Sequence, residues 1–188
     1  MIIMKFGGTS VGDSQRVQDV VSIIRSHVSL NPSVIVSAMA GVTDMLLETA
    51  QSAVRRENKK VESNLKTLKE KHLDVAESLV LNAEGKKDLI ARELPILNDL
   101  ANLFRGVSLL KELSVRSIDA IAAYGEILSC LQIAAVLNDG GVAAEFIDAR
   151  HLIRTDNHFG EAGVDYTVSN QQIREKILPL IEKSTVPI

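Results

Sequence analysis

The chain has 188 residues, 46% of them apolar, which is enough to bury a sizeable core at a length that fits one domain better than two. A formal net charge of −3, a pI of about 5.8 and 3% aromatic residues without Trp leave neither a basic field nor a stacking surface for nucleic acid, nor a patch for an anionic membrane. Cys130 is the only cysteine, so no internal disulfide forms; the apolar start Met1–Met4 is too short for a signal peptide and no run approaches a membrane span, which together predict a cytoplasmic chain.

The apolar run Met1-Ile2-Ile3-Met4 reads as a strand that delivers Lys5 into Lys5-Phe6-Gly7-Gly8-Thr9-Ser10. Two glycines let a backbone come close to a ligand, and N–H groups at a strand-to-helix junction converge on an anion, so the turn can be a phosphate cradle with Lys5 adding a full charge. It can equally be a tight connection, since it matches neither the P-loop nor the dinucleotide fingerprint. Asp13 then caps a helix with apolar positions Val17, Val20, Val21, Ile24 and Val28, and Asn31-Pro32 stops it. Ser33-Val34-Ile35-Val36-Ser37-Ala38 is a second, buried strand. Strand, helix, strand implies a right-handed parallel unit whose ligands gather beyond the strands' carboxyl ends. The small-residue turn Ser37-Ala38-Met39-Ala40-Gly41-Val42-Thr43-Asp44 falls at that same edge, with Thr43 or Asp44 expected as the next N-cap. Thr43 is either that cap alone or part of a pocket between the two turns.

From Ala53 to about Leu113 the pattern is helical, with a break at Asn82–Gly85 and a start or kink expected at Pro95. The basic residues Arg55, Arg56, Lys59, Lys60, Lys66, Lys69 and Lys71 are interleaved with Glu57, Glu62 and Glu70, which is the signature of a solvated face. Ser117 opens a further helix to about Val136, and within it Gly125-Glu126 sets a helix-weakening glycine and a carboxylate among Ile, Ala and Leu. A charge on a buried face costs several kcal/mol unless paired, so Glu126 either faces a ligand or points out to water. Cys130 reads as a buried hydrophobe, and His27, His72, His151 and His158 lack metal-ligand spacing. Asn138-Asp139-Gly140-Gly141 ends the helix, Ala143 to Asp148 reads as a third strand, and Ser169 with Gln172 makes a capping box for a last helix to about Lys183. Thr185-Val186-Pro187-Ile188 begins one more strand, which reads as the boundary of an incomplete domain.

Taken together, Lys5-Phe6-Gly7-Gly8-Thr9-Ser10-Val11, Ser37 through Asp44, Tyr124-Gly125-Glu126-Ile127-Leu128-Ser129 and Phe146-Ile147-Asp148-Ala149-Arg150 resemble aspartate kinase, of the amino acid kinase superfamily. Arg105-Gly106-Val107-Ser108-Leu109-Leu110 is similar to the helical insert of the lysine-sensitive and homoserine dehydrogenase-fused classes. The resemblance implies an α/β fold: the three-layer αβα sandwich of the amino acid kinases with a mostly parallel central sheet, truncated, plus a helical insert at about 53–113. It implies ATP-dependent phosphorylation of the β-carboxylate of L-aspartate, first step toward lysine, threonine and methionine, with Mg²⁺ accompanying ATP and a homo-oligomeric full-length protein.

By the same resemblance Lys5 is catalytic, and Lys5, Phe6, Gly7, Gly8, Thr9, Ser10 and Ser37 serve the phosphates, while Thr43 and Glu126 bind aspartate, Glu126 through its ammonium group. No metal ligand is implied. The adenine-binding segment, a second lysine and the regulatory domains would all lie beyond Ile188, so the chain alone is expected to be inactive. The alternative is a non-catalytic module that binds aspartate or oligomerises only.

Overall fold

The computed structural model describes residues 1–188. Strands β1 (Ile2–Phe6) and β2 (Pro32–Val36) pair in parallel, with Lys5 opposite Ile35 and Phe6 opposite Val36. Helix α1 (Ser14–Ser26) makes the crossover and buries Val17, Val20, Val21 and Ile24, the stripe that the periodicity marks. Asp13 caps it, accepting from the Arg16 N–H at 2.9 Å. Asn31 takes the left-handed conformation at φ 49°, and Pro32 then starts β2.

Four helices build most of the core: α2 (Val42–Val54), α3 (Asn58–Leu79), α4 (Ala83–Leu110) and α5 (Val115–Asp139). α3 and α4 pack on each other and on α2 and α5. The expected break falls where the sequence puts it, with the Asn82 side chain accepting from the N–H groups of Glu84 and Gly85. Asp139, at the far end of α5, grips the same turn from outside by accepting from the N–H groups of Leu81 and Asn82, both at 2.9 Å. Of the basic residues, Lys71 is half-buried and the rest lie exposed on α3 and its approach.

Pro95 does not start a helix, because it sits inside the 28-residue α4. It and Ala91, whose carbonyl loses its partner, both face water, so solvent replaces the missing bond. Two helix starts also differ from expectation. α5 begins three residues early, capped by Ser114, whose hydroxyl accepts from the Ser117 N–H. The last helix, α6 (Tyr166–Glu182), is capped by Asp165, while Ser169 is buried within it and bonds Arg154 on both backbone groups. α5 is long and apolar enough in composition to cross a membrane, against the expectation that no segment is, but two thirds of its apolar window is buried in the protein. It is a core helix.

Strands β3 (Ala144–Glu145) and β4 (Val186–Pro187) form a second parallel pair, continued by the Ile147 N–H donating to the Ile188 carbonyl. The third strand is shorter than the expected Ala143–Asp148 because its later residues pair only through that bond and then turn into a short 3-10 segment. β4 also lies against β2, which brings the two strand pairs together.

Candidate functional site

The two turns beyond β1 and β2 meet. Gly7 and Gly8 lead into a tight 3-10 turn, Gly8–Val11, in which the Ser10 N–H donates to the Gly7 carbonyl. A side chain at Gly8 would bring its Cβ to 3.0 Å from the Ala38 carbonyl oxygen, so only glycine lets the first turn lie against the second. Phe6 and Ser37 are joined directly, the Ser37 N–H donating to the Phe6 carbonyl at 3.0 Å. The Lys5 ammonium lies over Gly7, 3.9 Å from where a Cβ would stand there. Lys5 and Thr9 are exposed and the other residues of the turn are half-buried. Arg16 braces the loop from below, its Nη1 donating to the Thr9 carbonyl at 2.8 Å.

α5 closes the third side. Gly125 is fully buried, and a Cβ on it would stand 2.6 Å from the Ala38 Cβ and 3.1 Å from Val42 Cγ1. The helix therefore needs glycine at this crossing. The next residue, Glu126, sends Oε1 to accept from the Ala38 N–H at 3.2 Å. The carboxylate on an apolar helix is thus neither stranded nor turned to water. It pairs with a buried backbone donor just past the end of β2.

Gly41, in the left-handed conformation at φ 75°, occupies the N-cap position of α2 and makes no side-chain cap. Thr43 and Asp44 are accordingly inside the first turn rather than capping it, and the cap reading of Thr43 is corrected. Thr43 is half-buried, one residue after Val42, which packs on Gly125. The fold thus carries a continuous line of contacts from Lys5 and Gly7 through Gly8, Ala38 and Glu126 to Gly125, Val42 and the start of α2.

Neither large cavity lies on this line. One of about 570 Å³ is lined by Phe146, Asp148, His151, Gln172 and Lys176, and one of about 400 Å³ by Gly12, Asp13, Met39, Lys71 and Asp74. In the Lys5–Ala38–Glu126 region Lys5 is exposed, Glu126 half-buried and Ala38 buried. We place the candidate site there because Lys5 lies over the first glycine turn, that turn lies against Ala38, and Glu126 bonds the Ala38 N–H.

Sequence reasoning left two features without a role. Arg16 shows no special spacing, only a basic residue in the first turn of α1. In Phe146-Ile147-Asp148-Ala149-Arg150, the Arg150 guanidinium forks onto Asp148, with Nη2 to Oδ2 at 2.6 Å. Burial pushes the Asp148 carboxyl up, but its bonds from Arg150 outweigh this and hold it below the usual carboxylate range. An acid and a base two residues apart at a strand end are the signal for such a fork. Cys130 is held inert: burial pushes its thiol up to about 12, and its Sγ lies 3.9 Å from the Val36 carbonyl oxygen.

Residues 1–188 match the profile of the amino acid kinase family from end to end. The chain is 33% identical to chloroplastic aspartokinase 2 of Arabidopsis thaliana, the alignment covering 98% of this chain and 31% of that protein. It is 29% identical to the aspartokinase of Saccharomyces cerevisiae, covering 100% of this chain and 38% of that one. Its fold matches E. coli aspartokinase III in complex with aspartate and ADP at a TM-score of 0.88 and 24% identity, covering 100% of this chain and 40% of the other. The chain spans about a third of the length of these curated relatives.

Proposed function

Because the chain belongs to the amino acid kinase family, we propose that it is the N-terminal part of an aspartate kinase, the part that holds the acceptor and the transferring phosphoryl group. What supports this most is the clasp at Ala38, gripped by Gly8 on its carbonyl side and by Glu126 on its N–H. In the proposed reaction a β-carboxylate oxygen of L-aspartate attacks the γ-phosphorus of ATP, the bond to the bridging β–γ oxygen breaks, and 4-phospho-L-aspartate and ADP leave. Two anions must be held together while charge spreads over the moving group, so the protein's task is positioning and neutralisation.

On this reading Lys5, free of ion-pair partners and standing over Gly7, neutralises the transferring phosphoryl group. The turn Phe6, Gly7, Gly8, Thr9 and Ser10 cradles the phosphates through N–H and hydroxyl donors, with Ser37 beside their path. Ser10 contributes its hydroxyl only, its N–H being engaged by Gly7. Thr43 and Glu126 hold aspartate; Glu126 Oε1 is engaged by Ala38, so the ammonium goes to Oε2. Mg²⁺ would accompany the nucleotide, held chiefly by its phosphates and neutralising their charge. No covalent enzyme intermediate is involved.

The relatives are about three times as long, which supports the corollary that adenine and ribose are held by residues outside these 188 and that the chain alone does not turn over. The product would enter lysine, threonine and methionine synthesis, and the kinase would work in the cytoplasm as a homo-oligomer. Titration calorimetry of the chain against L-aspartate, L-glutamate and N-acetylglutamate tests the acceptor: heat with aspartate alone is expected, lost in E126A. Heat with none of the three would reject the acceptor assignment. In the full-length kinase, K5M is expected to lower kcat at least about 100-fold, and an unchanged kcat would remove Lys5 from its role.

A further inference from the structure

Away from the candidate site, the interior of the helical layer holds a polar cluster that the proposed reaction does not use. His72 on α3, Glu93 on α4, and Ser129 and Gln132 on α5 are each at most 2% exposed. Gln132 binds the three helices together: its Nε2 donates to the His72 carbonyl at 2.8 Å and to Glu93 Oε1 at 2.9 Å. Four side-chain atoms remain without a partner in the protein: His72 Nε2, Glu93 Oε2, Ser129 Oγ and Gln132 Oε1. Buried polar atoms are almost always paired, and each orphan costs about 1–3 kcal/mol. Gln132 bonds both His72 and Glu93, and Ser129 lies one turn before it on the buried face of α5, so the four orphans call for a common partner.

Their chemistry says which. His72 Nδ1 lies 2.8 Å from the Leu68 carbonyl, which can only accept, so Nδ1 carries the hydrogen and Nε2 is a lone pair. Burial lowers this ring to about 4, keeping it neutral, with Lys71 nearby reinforcing the effect. Burial pushes Glu93 up to about 7, so below neutrality it carries a proton; Oε1 already accepts from Gln132, which leaves the proton on Oε2. Ser129 brings a hydroxyl and Gln132 Oε1 an acceptor. Two donors and two acceptors are the complement of one water molecule, which donates twice and accepts twice.

We propose that the α3–α4–α5 core contains an internal water site in which a bound water donates to His72 Nε2 and Gln132 Oε1 and accepts from Glu93 and Ser129. Glu93 forms no ion pair, and its hydrogen-bond partner is the uncharged Gln132. Gly125, Ser129 and Gln132 recur at i, i+4 and i+7 on the buried face of α5, so the site fastens the helix that carries Gly125 and Glu126 to α3 and α4. The inference stands independently of the kinase reading.

A high-resolution crystal structure of the chain below pH 6 tests it. A solvent peak within about 2.7–3.2 Å of at least two of the four atoms is expected. A dry core, or the four atoms bonded to one another, would overturn the proposal. E93Q keeps a donor at this position and is expected to keep the peak, whereas the E93L/Q132L pair is expected to lose it. A peak that disappears in E93Q, or that survives in the double variant, would equally overturn the assignment of these ligands. Should the double variant not fold, E93Q decides alone.

Discussion

Glu126 shows how one side chain can look anomalous in one dimension and be paired in three. Its carboxylate sits in an apolar helix and accepts from the Ala38 N–H, a charge-assisted bond of the kind worth roughly 1.5–3 kcal/mol. Replacing it by alanine leaves that N–H buried and unpaired, so E126A is expected to lose about 2 kcal/mol in chemical denaturation. A loss under about 0.5 kcal/mol would mean that water replaces the carboxylate without penalty. Gly125 makes the opposite test. Alanine is favoured over glycine in a helix by about 1 kcal/mol, but a Cβ 2.6 Å from Ala38 cannot be accommodated without moving the turn. Overpacking costs about 1–3 kcal/mol, so G125A is expected to destabilise despite its propensity, and a gain in stability would show that α5 can slide.

The buried acid and base also set a pH dependence. Glu93 is raised from 4.5 to about 7, so the folded state holds its proton where the unfolded state has lost it, and stability falls as pH rises between those values. His72 is lowered from 6.5 to about 4, so its contribution is complete above 6.5 and is lost as pH falls toward 4. The two oppose each other between about 4.5 and 6.5, leaving Glu93 to dominate just above. E93Q should flatten the decline near neutrality in urea midpoints measured from pH 6 to 8. An unchanged slope would mean that Glu93 does not titrate there.

At the scale of elements, the helices depend on local devices whose consequences can be separated. Gly106 lies inside α4 with no atom within 4 Å of a built Cβ and no positive φ. Here nothing opposes propensity, and G106A is expected to stabilise by about 0.5–1 kcal/mol in the same assay that shows G125A destabilising. Asp139 holds the Leu81–Asn82 turn from α5. D139A should release that turn, raising amide hydrogen exchange at residues 80–82 without changing it in α1; exchange left as it was would assign the turn's order to the Asn82 cap alone. The stripe of α1, the break between α3 and α4 and the glycine end of α5 were legible because each is a local pattern. Two starts were placed wrongly for different reasons: a proline on a solvated face can be carried inside a helix instead of opening one, and a serine buried inside a helix can bond a distant backbone, as Ser169 does with Arg154.

For the whole molecule, the β1–β2 pair is covered unevenly. Val34 and Val36 are buried toward the helices, while Ile3 at 68% and Ile35 at 53% exposure stand on the other face beside Lys5. Substituting both isoleucines by threonine removes no buried contact, so the cost is expected within about 0.5 kcal/mol. The double variant should also bind less of a hydrophobic dye. A large loss of stability would place this face inside the core.

The sequence by itself determined the parallel strand–helix–strand unit, the helical stretch and the family, because strand periodicity, helix periodicity and glycine turns are written in neighbouring residues. Only the tertiary structure decided that Gly8 and Gly125 press on the same residue, that Glu126 is paired with Ala38, and that Glu93, Gln132 and His72 share one buried knot. Those contacts join positions 30 (Gly8 to Ala38) to 88 (Ala38 to Glu126) residues apart, and their existence depends on how the elements cross, which no local pattern records.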